Sequence, residues 1–71
     1  MPDMRCVTST SVAAIGYAPE ARELYVRFRR SGKTYVYLNV EVSVFRDFVR
    51  SSSKGAFLNC RLRGVYDYRA L

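Results

Sequence analysis

The chain has 71 residues, enough for one small domain and too few for a deep catalytic cleft beside a core. Hydrophobic residues make up 49% and charged residues 25%, which excludes a disordered chain. Twelve Lys and Arg against six Asp and Glu give a net charge of +6, and a sequence pI near 9.8 points to an anionic partner.

The elements follow in order along the chain. Met1 to Thr8 show no period and read as a loose lead-in. The start lacks the basic-then-apolar pattern of an export signal, so a cytoplasmic location is expected, and no apolar run approaches a membrane span. Val12 to Tyr17 suit a short strand with Ala13, Ile15 and Tyr17 on one side. Pro19 ends it, because it presets a turn and lacks an N–H donor. Glu23 to Arg30 alternate: Leu24, Val26 and Phe28 face one way, Tyr25, Arg27 and Arg29 the other. Ser31-Gly32 reads as a two-residue hairpin turn, followed by a third strand from Thr34 to Val40. That turn pairs Phe28 with Tyr35 and Val26 with Tyr37, and sets both tyrosines on the oily face as core residues.

Glu41 to Arg50 switch to helical spacing, with Val42, Phe45, Phe48 and Val49 as the apolar stripe and Asn39 as the expected cap. Ser51 to Gly55 break the helix; Ala56 to Leu62 suit a short helical turn, and Val65 to Leu71 form a tail or a final edge strand. The fold class that results is α+β: a three-stranded antiparallel β-meander packed against one main helix, with a short helical turn and tail, all in a single domain over 1–71.

Several chemistries are missing. The chain has no histidine, its acids are scattered, and it has no glycine-rich phosphate loop, so no catalytic residue, metal site or cofactor is expected. Cys6 and Cys60 match no redox spacing and are read as reduced thiols.

Two basic constellations remain. On the hairpin, Arg27, Arg29, Arg30 and Lys33 can track phosphates beside Tyr25 as a stacking platform; the alternative is a plain solvated face. Toward the end, Lys54, Arg61 and Arg63 form a second basic group, with Tyr66 and Tyr68 nearby; the alternative is helix capping and a charged tail. The first expectation is a non-catalytic RNA-binding module that uses this basic surface. The second is a protein-interaction module, docking on Tyr25, Val36 and Leu38 or on a strand edge, or an accessory subunit with no nucleic-acid role.

The order Ser9-Thr10, Ile15-Gly16-Tyr17, Leu24-x-Val26-x-Phe28, Gly32, Tyr35-Val36-Tyr37, Phe45, Phe48 continues with Ser53-Lys54-Gly55, Asn59, Leu62-Arg63-Gly64 and Tyr66-x-Tyr68. From about Ser9 to Tyr68 this pattern resembles the KTSC domain, a family of small bacterial proteins named for an extension of some lysyl-tRNA synthetases. The resemblance implies a free-standing domain with no established activity, for which RNA binding has been suggested. The chain departs from the family pattern at Val40-Glu41, where Val-Pro is expected, and carries extra arginine on the second strand.

Overall fold

The computed structural model describes residues 1–71. Five strands form one antiparallel sheet in the order β1-β2-β3-β4-β5: β1 Arg5–Cys6, β2 Val12–Ala18, β3 Glu23–Phe28, β4 Thr34–Tyr37 and β5 Tyr68–Ala70. Helix α1 spans Val42–Arg50, and helix α2 spans Lys54–Phe57 and runs directly into a π-helical segment, Leu58–Leu62. The class is α+β as expected, but the meander has five strands: the expected lead-in supplies β1, and the expected tail is the edge strand β5.

The β3–β4 register is displaced by two residues from the expected one. Val26 pairs with Tyr35, Leu24 with Tyr37 and Arg27 with Thr34. The hairpin loop is longer than two residues: the Phe28 N–H donates to the Lys33 carbonyl and the Gly32 N–H to the Phe28 carbonyl, each at 2.9 Å. A shift by an even number leaves each side chain on its face, because the pleat repeats every two residues. Leu24, Val26, Tyr35 and Tyr37 therefore share the core face as the alternation requires. On β2 an irregularity between Val12 and Ala14 sets Val12 opposite Phe28, so Val12, not Ala13, joins Ile15 in the core.

The core face buries Val12, Ile15, Leu24, Val26, Tyr37 and Val40 beneath Phe48, Leu58 and Leu62. Phe45 stacks on Tyr17, with ring centroids 4.9 Å apart. The helix stripe is rotated from the expected one: Val44, Phe45 and Val49 flank buried Phe48, while Val42 is 43% exposed. At 100° per residue, Val44 stands nearer to Phe48 around the helix than Val42 does. Asn39 is not the cap. It adopts φ +57 in the turn after β4, and Glu41 precedes the helix with no side-chain cap. Asparagine is among the few residues that take this left-handed conformation readily.

The opposite sheet face is also covered. Val36, Thr34, Ala14 and Tyr25 are buried there. A Cβ at Gly16 would lie 2.8 Å from the Asp3 carbonyl oxygen and 2.8 Å from the Met4 sulfur, so the N-terminal arm lies directly over this glycine. The loose lead-in expected over residues 1–8 is thus a packed element. Gly16→Ala is expected to cost about 1–3 kcal/mol through overpacking and to lift the arm. A urea transition together with trypsin cleavage at Arg5 measures both effects; an unchanged midpoint with Arg5 still protected would show that the arm does not depend on this close approach.

Candidate nucleic-acid interface

The hairpin cations that the sequence groups together are divided by the fold. Arg27 is half-buried on β3, and its Nε donates to the Thr34 hydroxyl at 3.1 Å. The Arg29 guanidinium donates to the carbonyls of Ser9, Val7 and Val12 at 2.8, 3.1 and 3.3 Å, which ties the entry to β2 onto the hairpin. Tyr25 is 9% exposed, and its hydroxyl donates to the Glu23 carboxylate at 2.9 Å. The open cationic face with a Tyr25 platform is therefore corrected: Tyr25 has no free ring face for a base, and Arg27 and Arg29 already hold protein acceptors. Lys33 and Arg30 stay exposed at the hairpin end.

The second group divides as well. The Lys54 ammonium donates to the carbonyls of Val49 and Ser51 at 3.2 and 2.7 Å, closing the end of α1, where carbonyls lack helical partners. Arg61 lies 3.7 Å from the Asp47 carboxylate and 5.0 Å over the Phe57 ring. Arg63 donates to the Asn59 side-chain carbonyl at 3.2 Å.

What the fold brings together is a different set. A groove of about 850 Å³ at the hairpin end is lined by Phe28, Tyr35, Tyr37 and Tyr68, with Arg30 and Arg63 also on its walls. Thr10, Ser11 and Ser31 add hydroxyls. Tyr35 and Tyr68 stack with centroids 5.4 Å apart and planes 13° from parallel, and Phe28 meets Tyr35 edge-on at 5.4 Å. Tyr37 is buried, as the sequence implies for a core residue, while Tyr35 is only half-buried and lines the open groove.

Each wall has a local origin. The hairpin loop carries Arg30 and Ser31 to the rim. Strand pairing sets Tyr68 opposite Tyr37, so the edge strand adds a fourth aromatic ring to the face that carries Phe28, Tyr35 and Tyr37. The π-helical segment ends with the Arg63 N–H donating to the Leu58 carbonyl at 2.8 Å, a five-residue step that widens the turn. Such segments are rare and occur often at functional sites. Sequence reasoning missed the groove because Thr10, Phe28, Tyr35, Leu58, Arg63 and Tyr68 come from separate elements. Part of its lining, Thr10, Phe28, Tyr35, Tyr37, Arg63 and Tyr68, figures in the family pattern, the one signal that could have pointed to it; Arg30 and Leu58 do not.

The tyrosine hydroxyls report their surroundings. Burial pushes Tyr37 above the usual value of 10.0; Arg63 pulls it back, and Tyr68 and Tyr35 push further up. Burial also raises Tyr17, opposed by Arg22 and reinforced by Glu41, and its hydroxyl donates to the Val40 carbonyl at 2.6 Å. The hydrogen bond to Glu23 raises Tyr25 first, then burial. A raised folded-state value favours the neutral phenol. The stability linked to it is fully present below the unfolded value, about 10, and is lost as pH rises through the folded value. Denaturation midpoints should therefore fall above about pH 10. Absorbance titration should show some of the six tyrosines ionising later than the rest. Uniform ionisation of all the tyrosines would contradict this.

The fold and groove together define a small α+β domain, one antiparallel sheet layered with helices, whose open end joins aromatic rings to arginines. The KTSC domain family model matches residues 8–66. A protein of Tsukamurella paurometabola is 39% identical over 56 residues, covering 79% of this chain and 82% of that protein. The crystal structure of a KTSC domain protein from Yersinia pestis superposes with a TM-score of 0.93 at 33% identity, covering 97% of this chain and 96% of the other. The chain belongs to the KTSC domain family. No helix is long and apolar enough to cross a membrane.

Proposed function

We propose that this chain is a non-catalytic binding module that holds single-stranded RNA in the groove at the hairpin end. One observation carries this reading: Tyr35, Tyr68 and Phe28 share a cavity with Arg30 and Arg63. Single strands are held this way, with bases on aromatic faces and phosphates on cations, whereas a rigid duplex keeps its bases stacked on one another. The net charge of +6 adds long-range attraction for the same ligand. Fluorescence anisotropy with short RNA oligonucleotides between about 50 and about 200 mM salt tests it: affinity should fall steeply as salt rises. Tyr35→Ala should weaken binding by about 1–3 kcal/mol, the worth of one stacked base. Affinity that ignores both salt and Tyr35 would sink the proposal.

A second reading rests on the edge strand β5, whose outer side has no strand beside it. An extended segment of another protein pairs with such an edge. Partners captured from lysate that persist after nuclease treatment favour this reading; partners that vanish favour RNA.

A further inference from the structure

A second, smaller cavity of about 230 Å³ adjoins the groove and shares Ser11, Phe28, Leu58 and Arg63 with it. Its polar lining consists of Ser11, Asn59 and Arg63. Arginine is a donor only, so the 3.2 Å contact from Arg63 fixes which way Asn59 points, with its carbonyl oxygen toward the guanidinium. That contact occupies the one strong acceptor of the Asn59 side chain. The Asn59 amide N–H groups, the remaining guanidinium N–H groups and the Ser11 hydroxyl are left as donors. No carboxylate lines either cavity. Gly55 keeps the notch open, since a Cβ there would lie 3.0 Å from the Ser11 hydroxyl oxygen. The volume is several times the ~30 Å³ share of a water molecule.

A donor-rich notch around a guanidinium suits a tetrahedral oxyanion. Beside it lies the stacked Tyr35–Tyr68 pair, which suits a planar ring. We infer that notch and groove together form the subsite for one nucleoside monophosphate unit, with its phosphate at Ser11, Asn59 and Arg63 and its base against the tyrosines. The inference deepens the RNA reading and rests on the same groove, and its ligand can come from a free nucleotide or from a nucleotide within a strand.

The test uses the intact, isotope-labelled chain, titrated with adenosine 5′-monophosphate, adenosine, inorganic phosphate and a short single-stranded RNA. The monophosphate should bind at least about tenfold more tightly than adenosine and shift the resonances of Ser11, Gly55, Asn59 and Arg63. Asn59→Asp, which sets a carboxylate in the notch at an exposed position, should erase that margin and leave adenosine binding unchanged. Equal affinity for the two ligands, a margin that survives Asn59→Asp, or shifts confined to another surface would overturn the subsite. Inorganic phosphate binding as tightly as the monophosphate would also overturn it, since the base would then contribute nothing. If the monophosphate binds as expected and RNA does not, the subsite stands for a free nucleotide and the RNA reading falls. If RNA binds and Asn59→Asp changes nothing, the RNA reading stands and the subsite falls; if nothing binds, both fall.

Discussion

Phe48→Ala is expected to leave much of the protein unfolded in water at room temperature. Phe48 is fully buried at the centre of the α1 stripe and meets the Phe57 ring at 5.1 Å, so it joins α1 both to the sheet and to α2. Removing a buried Phe ring costs about 3–5 kcal/mol from the forfeited transfer energy and the cavity left behind. A core this small supplies roughly 3–5 kcal/mol of net stability, so the two magnitudes nearly cancel. Far-ultraviolet circular dichroism should show reduced structure without denaturant. Phe48→Leu, which keeps most of the volume, should retain a cooperative urea transition at a lowered midpoint. A loss below about 1 kcal/mol for the alanine variant would mean that the α1–sheet layer does not carry the fold.

The second large effect concerns the groove arginines. Replacing Arg30 and Arg63 together by glutamine is expected to weaken single-stranded RNA binding by at least tenfold, because each charge-assisted bond to phosphate contributes about 1.5–3 kcal/mol. The slope of log affinity against log salt should shrink by about 1.4, at ~0.7 for each single-strand phosphate left without its arginine. Arg46→Gln serves as the control: Arg46 is exposed on α1 and lines neither cavity, so it lowers net charge by the same step per substitution without touching the site. Equal losses from all three arginines would mean that charge acts diffusely and that the groove has no special part. The other cations named in the sequence behave differently. Arg29 and Lys54 donate to backbone carbonyls, so substituting them is expected to lower stability before affinity. The exposed Arg61–Asp47 pair contributes little to stability, as exposed ion pairs generally do.

Tyr35 and Tyr37, both expected as core residues, differ in the fold: Tyr37 is core, and Tyr35 is half-buried beside the groove. Both stand on the core face as the alternation implies, and Tyr37 is buried. Tyr35 packs against the margin of the core cluster and is only half-buried, so the same oily face that is core beneath Phe48 becomes groove wall at the hairpin end. A two-residue error in register did no harm to this reading, since parity alone assigns faces. A loop length wrong by one would have inverted it.

Local periodicity was sufficient to identify the strands β2 to β4, the helix α1 and the two faces of the β3–β4 hairpin, because those are properties of neighbouring residues in one element, whereas the irregularity on β2 and the exposure of Val42 on α1 depend on what packs against them. The family pattern was legible too, as an ordered set of residue types. Tertiary structure alone decided three things: that the N-terminal arm covers the second sheet face, that Arg29 and Lys54 are spent on backbone carbonyls, and that Arg30 and Arg63 meet four aromatic rings in one cavity. Each depends on which surface covers which across long stretches of chain, and a two- or 3.6-residue period carries no information at that range.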